Sequence, residues 1–481
     1  MMTASLRTIS MFAARTAYIS ILYLLISIIL WVIGWFQWWI SLPLVLLLLW
    51  GTYKLWPEVK EHYTCSQSVP WWGWMMLCAY AAGCVFLCGF DGRLQQSWDF
   101  IVRNPLYAHL VAYEWPMELS QGSGVVVYPM QFWLVPALMS KVLSGCTTML
   151  LQLWVFAGML LIGLNVWQIL GGKRTIIMLG SLLVFAPLTL VADDVLNVIF
   201  WKNAYYSVHF RLPSPLTQML NTFHFYVTGC LALSLLVARR PSCLIWVVVT
   251  GCLAIMHPML ALILFPWAVY QFFCAWKQAG YAWKNLVLHP IVPGIVAAAA
   301  LAVIYYAANS GSETCLVFDA PHAKGYSLSY ICSFASGAML HIIPLLFAWY
   351  FSRRGILLYL ACCVPVLTLF WMGQSNGISE WWYKFSVAYG FILLLACMLV
   401  WEKKMIRAGW LVLMGLSLIS FLRVMKDKNI PLALRHGFAP QAQFVENEYA
   451  DMNHLNPDLH KQFVSETFKF PLIFRSHHAP Q

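Results

Sequence analysis

Few residues of this chain can do chemistry, and they fall in groups. Asp91 stands in Gly-Phe-Asp-Gly-Arg directly after an apolar run, and Asp193-Asp194 follow another run in the same way. A carboxylate at the end of an apolar segment can act as a general base or a metal ligand, or it can simply end the segment and meet water. The adjacent pair is the stronger signal, because neighbouring carboxylates repel unless a cation or a shared proton intervenes. A divalent cation is thus the one cofactor left open. His257 precedes Pro258 in a break between two apolar runs, and the ionisable residues of the runs themselves are the histidines His224, His289 and His341. Arg93, Lys202 and Arg211 lie near the carboxylates, and Lys384 closes Glu-Trp-Trp-Tyr-Lys at the head of a later run. Each of these cations can hold an anion or snorkel to an interface. Trp381, Trp382 and Tyr383 suit an interfacial aromatic belt. No Walker loop, HExxH or CxxC motif occurs. Cys146 and Cys315 fall in polar segments where a disulfide is chemically open.

The elements that must position these groups follow from composition. Of 481 residues, 61% are hydrophobic and 10% charged, with a mean hydropathy of +0.72. A water-soluble domain carries roughly a quarter charged residues, so the solvent here is lipid. Many apolar runs reach the ~20 residues that cross a ~30 Å hydrocarbon core as helix. The alternation of a membrane barrel is missing, which leaves an all-α polytopic bundle. The net charge of +11 is spread in short clusters between apolar runs; that records topology and excludes a nucleic-acid partner.

Apolar spans are expected at 17–36, 38–56, 71–90, 148–170, 175–192, 223–238, 243–256, 259–276, 287–308, 328–352, 355–373, 383–401 and 408–423. The segment 125–143, with Pro129, Pro136 and Lys141, is expected to lie at the interface without crossing. With a cytoplasmic N-terminus, about 13 crossings then put Lys54/Lys60, Lys173/Arg174, Arg239/Arg240, Lys277/Lys284, Arg353/Arg354 and Lys403/Lys404/Arg407 on the inner face. The long loops at 91–126 and 193–222, the His257 break, and loops at 309–327 and 374–382 face out. The chain divides into a bundle, 1–423, and an extracytoplasmic tail, 424–481. The expected location is a bacterial cytoplasmic membrane.

A resemblance joins these features. A span ending in Asp91 leads to a loop with Asp99, Arg103, Asn104, Glu114 and Glu118, then Tyr128-Pro129-Met130-Gln131-Phe132-Trp133, Lys141 and Gly145, and a span ending at Lys173-Arg174. This order resembles the front of the GT-C superfamily of polyprenyl-phosphate-sugar-dependent glycosyltransferases, which includes protein O-mannosyltransferases and aminoarabinose transferases. The likeness covers roughly 71–260. It departs from the family at Met130, which replaces the second proline of a Tyr-Pro-Pro-Leu-like juxtamembrane helix, and in two extra spans before Asp91. It implies that Asp91 is the base or acceptor-orienting carboxylate and that Asp193 or Asp194 is the acid of the second outer loop. His257 would match the histidine of the turn. Arg93, Lys202, Arg211 and Lys384 become candidates for holding the lipid phosphate as it leaves. The implied function is sugar transfer from a polyprenyl-phosphate donor to an extracytoplasmic glycan, lipid or protein. A flippase or exporter of a lipid-linked substrate, and an envelope oligosaccharide polymerase or ligase, are the rival readings. An ion-coupled carrier is disfavoured because the spans lack intramembrane Asp, Glu, Lys and Arg.

Overall fold

The structure, a computed structural model, describes residues 2–63, 68–97, 99–116, 125–143, 147–192, 194, 212–237, 242–278, 280, 283–309, 314–316, 328–372, 380–428, 464–465 and 473. Asp193, Lys202, Arg211, Cys146 and most of the 424–481 tail lie outside the described residues. The chain is an all-α bundle. Its helices are α1 (Met2–Trp35), α2 (Trp38–His62), α3 (Trp71–Cys88), α4 (Phe100–Ala112), α5 (Gln131–Leu143), α6 (Thr147–Leu170), α7 (Gly172–Val184), α8 (Pro215–Val237), α9 (Cys243–Met256), α10 (Pro258–Gln278), α11 (Trp283–Val287), α12 (Ile291–Asn309), α13 (Leu328–Ser352), α14 (Gly355–Leu369), α15 (Glu380–Leu399) and α16 (Lys404–Asp427). Among the described residues nine helices are long and apolar enough to cross a bilayer, and four shorter apolar helices accompany them. The protein is a multi-pass integral membrane protein.

Packing sorts the helices by solvent. The spans of α8 and α15 are the most enclosed, and they approach closely because Gly390 lies against Pro215, where a Cβ would come within 2.6 Å of the proline Cγ. The outermost span, α16, turns Leu411, Val412, Leu416 and Leu422 outward, as a helix bordering lipid does. Two ends emerge from cross-helix contacts. At one end Arg174 pairs with Glu402, and Arg354 Nη1 donates to Val237 O at 3.2 Å. Lys173, Lys403 and Arg353 adjoin these contacts along the chain. At the other end Gly34 meets Trp115, Asp194 pairs with Arg423 and Lys141 Nζ donates to Tyr113 O at 2.5 Å.

Three departures from the predicted spans have physical causes. The 175–192 span is broken. Helix α7 stops at Val184, residues 185–187 are extended, and helix resumes over 188–192. Pro187 removes a donor and disfavours helix before it. Inside a membrane the freed groups need partners, and Ser417 of α16 provides them: Ala186 N–H donates to Ser417 Oγ at 2.9 Å, and the hydroxyl lies 3.3 Å from Ala186 O. Second, α8 starts at Pro215, eight residues before the predicted 223. Ser214 accepts the Thr217 N–H at 3.0 Å and Pro215 takes the first helical position, a strong start signal. Third, the 355–373 span ends at Leu369, and Phe370–Met372 become a strand, β3, paired antiparallel with β2 (Thr314–Leu316).

The segment 125–143 forms a strand, β1 (Val125–Val126), a turn and α5. The last strand, β4 (Val464–Ser465), pairs antiparallel with β1, and Ile473 O accepts the Gln37 N–H at 3.0 Å. The described tail residues thus fold back on this end. Helix α5 has 13 residues, about 20 Å at 1.5 Å per residue, too short for a ~30 Å core. It runs beside α4: Tyr107 meets Ser140 at 3.2 Å and Lys141 meets Tyr113. The two short helices pack side by side at one end of the bundle.

Candidate functional site

The site begins with a kink. Thr222 of α8 has φ −128° and ψ 49°, a kink of the kind that opens the carbonyls of the preceding turn to side-chain donors. Side chains reach the carbonyls of all four residues before it. Thr222 Oγ1 donates to Gln218 O at 3.0 Å, Cys88 Sγ lies 3.6 Å from Met219 O, and Ser97 Oγ lies 3.5 Å from Leu220 O. Arg103 Nη1 donates to Asn221 O. The kink therefore anchors the end of α3, the following loop and α4 in one place.

Arg103 is buried and lies 3.1 Å from Asp99 Oδ2, four residues earlier at the N-cap of α4. Burial works against its charge, but Asp99, with Tyr128 and Tyr383, more than offsets that and holds the guanidinium above its ordinary pKa. Tyr128 heads the Tyr-Pro-Met-Gln segment. Its hydroxyl is within hydrogen-bonding reach of Arg103 and 2.9 Å from His224 Nε2 on α8. Burial pushes its phenol well above the usual value, against the opposing pull of Arg103. From α15 comes a second pair of the same design: Lys384 Nζ lies 3.5 Å from Glu380 Oε2, again four residues apart. The ammonium stands 4.3 Å over the Phe225 ring and 5.0 Å over Tyr383. Gln218 Nε2 donates to Tyr383 O, tying α15 to the kink.

His257 is fully buried. It closes the α9–α10 break as predicted, but its job there is local as well: Nδ1 accepts the Leu260 N–H at 3.3 Å, capping α10. Its ring lies 4.5 Å from Phe225, centroid to centroid.

Of the residues the sequence singled out, the fold brings Lys384 and His257 together around Phe225. Asp91 is elsewhere: it is exposed, held by the Arg93 N–H at 3.1 Å and paired with Arg93 Nε at 3.3 Å. The loop that carries it is shaped by Gly89, at φ 68°, where a Cβ would stand 2.8 Å from Leu94 O. Asp194 is buried against Arg423 of the outermost span and shares no contact with Lys384. Sequence reading missed Gln131, Gln218, Asn221 and Phe225 as site members, and gave Asp99 and Arg103 no role beyond membership of the loop. The i, i+4 spacing of Asp99–Arg103 and Glu380–Lys384 was the available signal. One cluster with metal-ligand spacing occurs among the described residues, Glu58, Glu61 and His62, and it belongs to the basic end.

The fold and site define an integral membrane bundle with a buried, charge-balanced polar cluster at the end opposite its basic loops. In comparison with known proteins, no family model, curated sequence or solved structure matches the chain.

Proposed function

We propose that this protein is a GT-C-like membrane glycosyltransferase that transfers a sugar from a polyprenyl-phosphate donor to an extracytoplasmic acceptor. The supporting observation is the convergence of two buried cations, Arg103 and Lys384, from elements far apart in sequence, beside Tyr128 of the juxtamembrane segment. A lipid phosphate lying at the interface would reach them from the bilayer. Both are donors suited to hold the phosphate as the sugar C1–O bond breaks and the phosphate takes the electron pair. The acceptor oxygen forms the new bond to C1 and loses its proton to a base. Asp91, exposed at the same end, suits that role because a solvent-reachable carboxylate can meet an incoming acceptor. Asp193, Lys202 and Arg211 join the proposal as sequence candidates only, and a divalent cation bound by the Asp193-Asp194 pair as an open one. The reading carries the orientation with it: N-terminus cytoplasmic, about 13 crossings, tail and site outside a bacterial cytoplasmic membrane.

The test is transfer by the purified protein in lipid discs, from a polyprenyl-phosphate sugar to water or an added acceptor. Release of polyprenyl phosphate, cut ~10²-fold or more in Asp91→Asn, is the expected result. Release that is unchanged in Asp91→Asn removes Asp91 from the role of base. Movement of the donor between leaflets with no release would replace the enzyme by the flippase or exporter.

A further inference from the structure

Beside the two cations lies a set of buried polar atoms that the charge network does not use. His224 Nδ1, His257 Nε2, Gln131 Oε1, Trp133 Nε1 and Arg103 Nε are buried and make no hydrogen bond in the structure. Buried polar groups are nearly always bonded, so several in one place call for a partner. His224, His257 and Gln131 are each at most 1% exposed. They are neighbours: Phe225 touches His224 and His257, with ring centroids 4.0 and 4.5 Å away, and carries Lys384 above it. Trp133 lies 4.2 Å from the His224 ring. Gln131 is joined to the same region because its Nε2 donates to Tyr306 Oη at 2.7 Å, and Tyr306 donates to Ile255 O, two residues before His257.

The hydrogen-bond directions decide what these atoms offer. Arginine only donates, so Tyr128 accepts from Arg103, and its own hydrogen is then available to His224 Nε2, 2.9 Å away. With that assignment the His224 ring carries its hydrogen on Nδ1. In His257, Nδ1 accepts the Leu260 N–H, which leaves the hydrogen on Nε2. Tyr306 donates to a carbonyl and so accepts the Gln131 amide, leaving Oε1 as the unused atom. The unpaired set is four N–H donors, on His224, His257, Trp133 and Arg103, and one acceptor, Gln131 Oε1. The nearby carboxylates, Asp99 and Glu380, are already engaged by Arg103 and Lys384. Such a set matches a group rich in acceptor oxygens with few hydrogens to give, next to an aromatic face. It is a poor match for an ammonium, which brings donors and charge to a place already full of both.

Resting on the glycosyltransferase reading, we infer that His224, His257, Gln131 and Trp133 form the donor-sugar subsite, and that it selects an uncharged hydroxylated sugar over a cationic amino sugar.

Binding of three ligands to the purified full-length protein tests this: bare polyprenyl phosphate, a neutral hexosyl polyprenyl phosphate, and an aminopentosyl polyprenyl phosphate, at pH 7. The hexosyl lipid should bind at least ~10-fold tighter than the bare lipid, and the aminopentosyl lipid no tighter than the bare one. His257→Leu and His224→Leu should each erase the hexosyl advantage while leaving bare-lipid binding in place, which also reports that the variants fold. His257→Gln, whose amide N–H falls near the Nε2 position, should recover part of it. Tighter binding of the aminopentosyl lipid, or a hexosyl advantage that survives both leucine variants, overturns the subsite. A protein that binds none of the three, the bare lipid included, overturns the polyprenyl-phosphate reading itself.

Discussion

Replacing Lys384 separates what its ion pair does for the fold from what it does for a ligand. The ammonium lies 3.5 Å from Glu380, with the two side chains 9% and 18% exposed. At that distance and an effective dielectric of ~20 the attraction is roughly 5 kcal/mol, and removing two ions from water cancels much of it. The net worth of the pair is small, but losing one partner strands the other. Lys384→Met leaves the Glu380 carboxylate without its cation and is expected to lower unfolding free energy by about 3 kcal/mol. The double variant Glu380→Gln/Lys384→Met removes both charges and should return to within about 1 kcal/mol of the parent. Ligand affinity should not return, since the cation is gone in both: polyprenyl-phosphate binding should stay ~10²-fold weaker. Thermal unfolding followed by tryptophan fluorescence, run beside lipid-phosphate binding on the same samples, reads both quantities. A double variant with wild-type affinity would refute the anion role and leave Lys384 a structural cation. A single variant as stable as the parent would refute the burial argument.

Three further outcomes are expected. Burial pulls Lys428, at the end of α16, down to about 8 from its ordinary 10.5, with Cys88 opposing in part. Between about pH 8 and ~10.5 the unfolded chain binds more protons, so stability rises with pH across that window and the penalty is complete below it. Lys428→Met should therefore stabilise the protein at pH 7, by an amount on the order of 3 kcal/mol, and the gain should fade towards pH ~10.5; a pH-independent difference in Tm would contradict this. Gly390→Ala should cost about 1–3 kcal/mol by overpacking, because its Cβ would meet Pro215 at 2.6 Å, whereas Gly180→Ala meets nothing within 4 Å and should be close to neutral. Cysteines introduced at 240 and 440, in a background without reactive native thiols, should label from opposite sides of the membrane, and labelling of both from one side would reverse the proposed orientation.

Much of the frame was legible before any coordinates. Lipid demands runs of about 20 apolar residues whose backbone bonds are internal, so the spans announce themselves. The His257-Pro258 break follows from proline chemistry, and the short helix at Gln131–Leu143 lies in the segment where Pro129, Pro136 and Lys141 interrupt the apolar run. His257 and Lys384 stand out because polar groups are scarce in such a chain. What hydropathy cannot report is which face of a helix meets protein. Residues 215–222, Pro-Leu-Thr-Gln-Met-Leu-Asn-Thr, read as loop because they are half polar, yet they are helical and mostly buried.

The same limit applies to the carboxylates. Asp91, Asp99 and Asp194 look alike along the chain, each at the edge of an apolar or helical run. Tertiary packing distinguishes them: Asp91 is left at the surface with Arg93, Asp99 is placed beside a buried arginine, and Asp194 is given a partner 229 positions away in Arg423. The cluster itself depends on one kinked turn at Thr222, whose carbonyls take side chains from α3 and α4, and on α15 packing across it. The sequence by itself determined that the chain lives in lipid as an all-α bundle and that it breaks at His257-Pro258, because those follow from solvent and local stereochemistry. Which polar groups meet was decided only by the tertiary structure, because burial and pairing are properties of contacts between segments hundreds of residues apart.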